Sequence, residues 1–237
     1  MDFIILFLIA IIVFIVVVLL GTWACAYILR LPIFSQRTRN LAARTGLMVV
    51  NRFMRAQINV IGKENLPEES FVIVGNHVSN IDILALCEAI PRPIAFVAKE
   101  ELGKVPFLGS WMETMKCVFI KRDDVRGSIK LINEVAAQQV KDGLPMVIFP
   151  EGTRSGGHEV APFKGGSFSL VTNSQAPVVP ITIENTHLVL KNFPKKTQIR
   201  VTIHPAIYPE TYTQMNRNQL AAQVYEQVVS GFQRGNA

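Results

Sequence analysis

A histidine and an aspartate five residues apart are the strongest sign of chemistry in this sequence. His77 and Asp82 lie in GNHVSNID (75–82), which directly follows an apolar run. Residues five apart in one regular helix point roughly 140° away from each other, so the pair can meet only if His77 precedes a helix that has Asp82 in its first turn. Asn80 or Ser79 would then supply the N-cap. So placed, the carboxylate orients the imidazole and leaves its other nitrogen as a general base.

No serine nucleophile is evident for this pair. Ser79 is close to His77 in sequence, but a role as a helix cap is a sufficient explanation for it. The sequence has no G-x-S-x-G elbow, because GGSFS ends in Ser169 where a glycine is required. We therefore expect His77 to activate a hydroxyl group of a bound substrate.

A second group of polar residues follows another apolar run, in FPEGTRS (149–155). Glu151 can accept bonds from hydroxyls or from a cation, and Arg154 can bind a phosphate through two parallel bonds. For this loop alone, a solvated turn with one surface arginine is an equally good interpretation. In VFIKRDD, Lys121 and Arg122 follow a further strand and could add positive charge nearby.

The other histidines and the cysteines lack the spacing of a metal site. His158, His187 and His204 are scattered, and the three cysteines form neither a metal motif nor a disulfide framework. The cysteine usage fits a reducing compartment. Neither a Walker loop nor a dinucleotide fingerprint is present.

Short apolar runs alternate with longer amphipathic stretches from residue 58 onward. The expected strands are 58–61, 71–75, 94–98, 117–120, 145–149, 178–183 and 198–204. The expected helices are 80–90, 107–115, 125–141, 165–174 and 213–233. This alternation predicts an α/β fold with a mixed, largely parallel central sheet flanked by helices. Ligands of such sheets gather at the carboxyl ends of the strands, so we expect the chemistry in the loops 75–82, 121–124 and 150–164.

The N-terminal part of the chain has the composition of a membrane segment. Residues 3–29 contain no charged side chain and would form a helix about 40 Å long, enough to cross a bilayer with some tilt. Ala24-Cys25-Ala26 resembles a signal-peptidase site, but the run is too long for a signal peptide and no basic residue precedes it. We therefore expect a retained anchor.

Positive charge is concentrated directly after this run. Residues 30–57 hold six arginines and no acidic residue, so most of the net charge of +6 lies there. The positive-inside rule then puts the rest of the chain on the cytoplasmic face, and the arginines suit an anionic lipid surface. Because charges nearly cancel over 58–237, nucleic acid is not an expected partner.

Residues 36–57 have the pattern of an amphipathic helix. We expect its apolar side to lie on the membrane surface, so that the two N-terminal helices form a membrane-anchoring pair, and packing against the following domain is the alternative for the same apolar side. We accordingly divide the chain into a membrane-associated part, 1–57, and an α/β domain, 58–237.

NHVSNID, FPEGTRS and VVPI (178–181), in this order and at these separations, resemble the glycerolipid acyltransferase superfamily, which includes the 1-acylglycerol-3-phosphate acyltransferases. The similarity covers roughly residues 58–205. It implies that His77 deprotonates the free hydroxyl of lysophosphatidate, that Asp82 orients His77, and that the resulting alkoxide attacks the thioester of acyl-CoA or acyl carrier protein. It implies no metal and no cofactor.

The resemblance also implies a group of residues that bind the glycerol phosphate. These are Lys99, Arg122, Glu151, Gly152, Thr153 and Arg154. Pro180 is implied to shape the acyl region. One position departs from the family pattern, because the second motif usually begins with glycine, as in G-x-x-F-I-x-R, and this chain has Lys116 there.

The implied partners are the phospholipid bilayer, lysophosphatidic acid and the acyl donor. A lysophospholipid leaves a bilayer only at a cost of about 0.8 kcal/mol per buried CH₂, so the catalytic loops must lie near the headgroups. Three alternatives stay open: a different acceptor such as another lysophospholipid or glycerol-3-phosphate, a membrane thioesterase or lipase that uses the same pair, and a lipid-binding protein without catalysis.

Overall fold

The computed structural model describes residues 2–121 and 123–232 of the 237-residue chain. The strands of this part form a single sheet in the order β1-β7-β6-β2-β5-β3-β4. They are β1 (Ala56–Ile61), β2 (Val72–Gly75), β3 (Ala95–Lys99), β4 (Val118–Ile120), β5 (Met146–Ile148), β6 (Val178–Glu184) and β7 (Thr197–Ile203).

The helices connect and cover these strands. They are α1 (Asp2–Leu29), α2 (Gln36–Phe53), α3 (Ile81–Ala89), α4 (Glu100–Gly103), α5 (Leu108–Thr114), α6 (Val125–Leu131), α7 (Ala137–Lys141), α8 (Ser169–Ser174), α9 (Leu188–Asn192), α10 (Pro209–Tyr212) and α11 (Arg217–Ser230). A π-helical turn, Ile132–Ala136, joins α6 to α7, and two 3₁₀ turns span Lys63–Asn65 and Gly165–Phe168.

Five of the strands run in the same direction. β2 pairs in parallel with β5 and β6, and β3 pairs in parallel with β5 and β4. β7 is antiparallel to β6 and parallel to β1, so β1 and β7 run the opposite way. We call the edge at which β2 to β6 end the carboxyl edge and the opposite one the amino edge. The predicted fold class, a mixed and largely parallel sheet flanked by helices, is confirmed.

Alternate residues of the strands fill two apolar layers. Val72 and Val74 face the layer under α7, α8 and α11, whereas Phe71 and Ile73 face the layer under α2 and α3. All four are fully buried. Burial on both faces explains why these strands appear in the sequence as continuous apolar runs and not as alternating ones.

The ends of α1 differ in their surroundings. Near its C-terminus the indole of Trp23 donates to Ser110 Oγ at 3.1 Å, and Ala26 is buried against Thr114, which donates to its carbonyl. α5 leads from the carboxyl edge, where β3 ends, to the amino edge, where β4 begins. Residues 4–22 of α1 therefore continue outward past the carboxyl edge, and α1 is the one helix of the described chain that is long and apolar enough to cross a membrane.

α2 packs on the α/β domain along one side, and a membrane contact of its other side stays a prediction. One stripe packs on the domain: Ala43 is buried in the core, Leu47 and Met54 lie against it, and Asn51 donates to the Leu84 carbonyl at 3.1 Å. Another stripe is exposed, with Phe53 at 75%. The division of the chain at residues 57 and 58 stays a prediction.

Several element boundaries differ from those expected. α2 ends at Phe53 and not near 57, because Arg55 adopts a left-handed φ of 57° and β1 begins at Ala56. The helix expected over 213–233 is α11, which starts at Arg217 after a capping box formed by Asn216 and Gln219. α4, α9 and α10 were not predicted, since helices of four or five residues are too short to show a helical period.

Candidate active site

The turn between β2 and α3 brings His77 and Asp82 together. β2 ends at Gly75, α3 begins at Ile81, and His77 Nδ1 lies 2.7 Å from Asp82 Oδ2. The Asp82 side chain is fully buried and that of His77 is 14% exposed. The predicted arrangement, histidine in the turn and aspartate in the first helical turn, is confirmed by this geometry. Because Nδ1 faces Asp82, the other ring nitrogen, Nε2, is the one available to a substrate.

Asp82 is held by donors from two parts of the chain. Its Oδ2 also accepts from the backbone N–H groups of Val78 at 2.7 Å and Ser79 at 3.0 Å, and its Oδ1 accepts from the Thr186 hydroxyl at 2.5 Å. Of the two residues that we expected to supply the N-cap, Asn80 makes no cap bond through its side chain. The Ser79 hydroxyl accepts from Ile81 N at 3.1 Å, as a local cap would.

Asn76 fixes the start of the turn to β6. Its side-chain amide donates to the Ile183 carbonyl and its side-chain oxygen accepts from Ile183 N, both at 2.8 Å. This pair of bonds continues the β2–β6 ladder after the backbone of β2 has ended at Gly75. A Cβ on Gly75 would lie 2.8 Å from the Ile181 carbonyl oxygen, so this approach requires glycine.

Glu151 holds the backbone of His77. The carboxylate is 3% exposed, and its oxygens accept from His77 N at 2.6 Å and from Ala161 N at 2.9 Å. Burial raises its pKa above the ordinary value, and the two backbone bonds oppose that shift. The resemblance implied that Glu151 binds the glycerol phosphate directly. The observed bonds show that Glu151 positions the backbone of His77, and its contribution to binding the glycerol phosphate stays a prediction.

The rest of the FPEGTRS loop lies against the same turn. Ser155 N donates to the His77 carbonyl at 2.8 Å and Gly156 N donates to the Val78 carbonyl at 3.0 Å. The Phe149 ring stacks on the imidazole, with centroids 4.2 Å apart and planes 10° from parallel. His77 is therefore held at its N–H, its carbonyl, one ring nitrogen and one ring face.

Three cationic side chains lie along or beside this edge. Arg154 is exposed and donates to Asn80 Oδ1 at 2.9 Å, so its guanidinium lies at the turn that carries His77. Lys99 ends β3 and pairs with Glu101 at 2.9 Å. Lys164 Nζ lies 2.9 Å from the point where a Cβ on Gly152 would stand, and Gly152 has a left-handed φ of 72°. Arg154 and Lys164, which form no ion pair within the described residues, make the mouth of the site positive and suited to a phosphate.

The remaining predicted residues have different positions. Thr153 is exposed in the loop beside Arg154, and Arg122 lies outside the described residues. Pro180 is buried in β6, paired with Val74 of β2, so it belongs to the interior of the sheet and its influence on an acyl chain stays a prediction. Lys116 is exposed at the amino edge with a left-handed φ of 62°, a conformation that glycine adopts without strain.

Four contributors to the site were not singled out from the sequence. Asn76, Phe149 and Lys164 all lie in or next to the loops in which we expected the chemistry, and only their partners in space distinguish them. Thr186 lies 104 residues from Asp82 along the chain, so no local pattern connects the two. Within residues 2–121 and 123–232, no three His, Cys, Asp or Glu side chains come close enough to hold a metal ion.

This arrangement can remove a proton from a hydroxyl next to a phosphate. The imidazole is fixed in place, its Nδ1 is bonded to a carboxylate, and its Nε2 forms no hydrogen bond within the described residues. Acid–base catalysis by a positioned histidine contributes about 10²–10⁴-fold to a rate. Neither the side chain bonded to the imidazole nor the one stacked on it is a serine or a cysteine, which agrees with attack by a substrate hydroxyl.

Comparison with known proteins shows the same fold and family. The chain is 30% identical over 195 residues to the 1-acyl-sn-glycerol-3-phosphate acyltransferase of Saccharomyces cerevisiae, covering 80% of this chain and 64% of that protein. It is 30% identical over 178 residues to the enzyme of that name from Borreliella burgdorferi, covering 73% and 70%.

Among solved structures, the 1-acyl-sn-glycerophosphate acyltransferase PlsC from Thermotoga maritima matches with a TM-score of 0.64 and 28% identity, covering 82% of this chain and 81% of that one. The family model described as Acyltransferase matches residues 57–184, which contain the His77–Asp82 turn and the FPEGTRS loop. On this match and these relatives, the chain belongs to the acyltransferase family.

Proposed function

We propose that this chain transfers a fatty acyl group from an acyl thioester to the free hydroxyl of 1-acylglycerol-3-phosphate, which yields phosphatidic acid for phospholipid synthesis. The relatives from yeast, Borreliella and human that it resembles are all named 1-acyl-sn-glycerol-3-phosphate acyltransferases. The observation that carries the proposal is the 2.7 Å contact between His77 Nδ1 and Asp82 Oδ2 beside a cationic mouth.

The reaction needs only one proton carrier. His77 Nε2 takes the proton from the acceptor hydroxyl, and the oxygen attacks the thioester carbonyl. When the tetrahedral intermediate collapses, the carbon–sulfur bond breaks and the thiolate takes the proton from the imidazolium. The acceptor phosphate is bound by the cations at the mouth, Arg154 and Lys164, with Lys99 and Arg122 as further cationic contributors. The acyl donor is acyl-CoA or acyl carrier protein, and no further cofactor takes part.

The active chain is anchored in a membrane with its α/β domain on the cytoplasmic side. The apolar part of α1 continues past the carboxyl edge, the edge that carries His77, so an embedded α1 holds that edge toward the bilayer. The six arginines of residues 30–57 favour the cytoplasmic face. A lysophospholipid then meets the site without leaving its leaflet.

The acceptor is tested with the purified full chain in phospholipid vesicles. A donor with a labelled acyl group, either acyl-CoA or acylated acyl carrier protein, is offered with lysophosphatidate, glycerol-3-phosphate or lysophosphatidylcholine. The acylated products are then separated and counted. We expect transfer to lysophosphatidate to exceed transfer to the other two acceptors by at least an order of magnitude.

The same assay without an acceptor separates transfer from hydrolysis. Without an acceptor, we expect little release of free fatty acid and no acyl-enzyme by intact mass. With lysophosphatidate present, we expect Ser79→Ala to transfer the acyl group at a rate close to that of the unmodified chain. Rapid hydrolysis, or an acyl group on Ser79, would establish the thioesterase or lipase alternative and overturn the proposal.

A further inference from the structure

A second exposed apolar surface lies far from α1. The side chains of Phe53 and Leu190 are 75% and 70% exposed, and the ring of Phe193 lies 5.9 Å from that of Phe53. Val49, one turn before Phe53 on α2, is 65% exposed. We call Val49, Phe53, Leu190 and Phe193 the apolar platform. A water-soluble surface does not usually group large apolar side chains in this way.

Cationic residues surround the apolar platform. They are Arg52, Arg55, Lys191, Lys195 and Lys196. All five are exposed, and none forms an ion pair within the described chain. Arg52, Arg55 and Lys196 also line a cavity of about 670 Å³ whose one acidic residue, Glu88, already accepts a bond from Asn51. Large apolar side chains within a rim of positive charge are the composition of surfaces that bind anionic membranes.

The apolar platform lies at the same edge of the sheet as the active site. α9 follows the carboxyl end of β6, and Phe53 ends α2 just before β1, which starts at that edge because it runs opposite to β6. α1 passes the same edge at the other end of the sheet, where it packs on α5 between β3 and β4. The strand that leads to His77, β2, is the fourth of the seven. The catalytic turn therefore lies between the two apolar surfaces.

We propose that the apolar platform enters the headgroup region of the leaflet that His77 faces, so that the domain contacts the membrane at two points with the active site between them. This inference rests on the membrane location in the proposed function and adds a contact that α1 does not supply. A second copy of the chain is a poorer occupant, because a symmetric pair would bring five cations of each protomer together. Anionic lipid headgroups neutralise the same charges.

A fluorescent probe at the centre of the apolar platform tests the contact directly. Leu190→Cys is made in a Cys25→Ser background, which leaves only the buried Cys87 and Cys117. The full chain carries an environment-sensitive dye at residue 190 and is reconstituted in vesicles of phosphatidylcholine and phosphatidylglycerol that contain nitroxide-labelled lipid. Lys141→Cys, exposed at the amino edge, is the matched control.

We expect the dye at residue 190 to be quenched several-fold more strongly than the dye at residue 141, with a blue-shifted emission. Equal quenching at the two positions would overturn the proposal. So would energy transfer between differently labelled copies that persists after dilution with excess lipid, because it would show that a second copy covers the apolar platform. The readout needs no catalysis, so it stays valid even if the acceptor specificity proposed above is wrong.

The role of the cationic rim is tested with Lys195→Gln/Lys196→Gln in the Leu190→Cys chain. Each lysine near an anionic surface contributes a membrane preference of roughly fivefold. We therefore expect the double variant to lose most of the quenching at residue 190 in phosphatidylglycerol-containing vesicles. Unchanged quenching at residue 190 would refute the electrostatic part of the proposal. As a control, the quenching of the dye at residue 141 should not change when the two lysines are replaced.

Discussion

At the scale of single residues, His77 is fixed by contacts from its own turn and from the FPEGTRS loop. Asp82 bonds its Nδ1, Phe149 covers one ring face, and Glu151 holds its backbone N–H. Thr186 in turn holds Asp82. A general base gains from such support because small displacements of the proton acceptor reduce the rate steeply.

Thr186 is expected to act through Asp82. Thr186→Val removes the hydroxyl bonded to Oδ1 and leaves that buried oxygen without a partner, at a cost of about 1–3 kcal/mol in unfolding free energy. We expect kcat for acyl transfer to fall by roughly tenfold with little change in KM. Thr186→Ser, which keeps the hydroxyl, should restore kcat. If Ser and Val variants behaved alike in kcat, the hydroxyl would have no positioning role.

The backbone conformation at Lys116 explains why the family usually has glycine at this position. Its φ of 62° lies in the left-handed region, where a side chain costs about 1–2 kcal/mol that glycine avoids. We expect Lys116→Gly to raise the free energy of unfolding by about 0.5–1 kcal/mol, after the added flexibility of glycine in the unfolded chain is subtracted. Chemical denaturation measures this, with Lys116→Ala, which keeps the strain, as the matched control that should not stabilise the chain.

At the scale of elements, β6 connects the site to the C-terminal helix. Its Thr182 hydroxyl donates to the Val228 carbonyl near the end of α11 and lies 2.8 Å from His204 Nε2. Two residues further along β6, Glu184 ends the strand, and Thr186 follows beside Asp82. β6 thus connects the packing of α11 with the position of Asp82.

His204 is expected to make this docking sensitive to pH. Burial lowers its pKa below the ordinary 6.5, so the unfolded chain takes up a proton at a higher pH than the native chain does. The stability contributed by neutral His204 is therefore complete above pH 6.5 and is lost as the pH falls from there through the native pKa. Unfolding curves at pH 7.5 and 5.5 should show a loss of stability that is smaller in His204→Gln. An equal loss in both proteins would contradict this assignment.

The strands and the catalytic turn could be predicted because their signals are local. Fully buried parallel strands appear as apolar runs, and the five-residue separation of His77 and Asp82 is compatible with only one kind of turn. The support of the site could not be predicted in this way. Thr186, which follows β6, bonds Asp82, and Asn76 bonds the backbone of β6, so both contacts join residues about a hundred positions apart in the sequence. Glu151 could bind hydroxyls by its chemistry, but both of its oxygens accept from backbone N–H groups.

At the scale of the whole molecule, the sheet places its chemistry at the edge from which α1 emerges. The exposed apolar residues of α1 and of the apolar platform both lie toward that edge, and the catalytic turn lies between them. Helices cover the two faces of the sheet. The architecture suits an enzyme whose acceptor stays in a membrane while its acyl donor approaches from the aqueous side.

The central claim is that His77, oriented by Asp82, is the base of the acyl transfer, and the most direct measurement is the rate of labelled acyl transfer to lysophosphatidate by purified His77→Ala and Asp82→Asn chains in vesicles. We expect the histidine variant to lose at least about 100-fold in kcat and the aspartate variant to lose activity as well, while both still unfold in one cooperative transition, as folded chains do. Transfer at the unmodified rate by a folded His77→Ala chain would contradict the account.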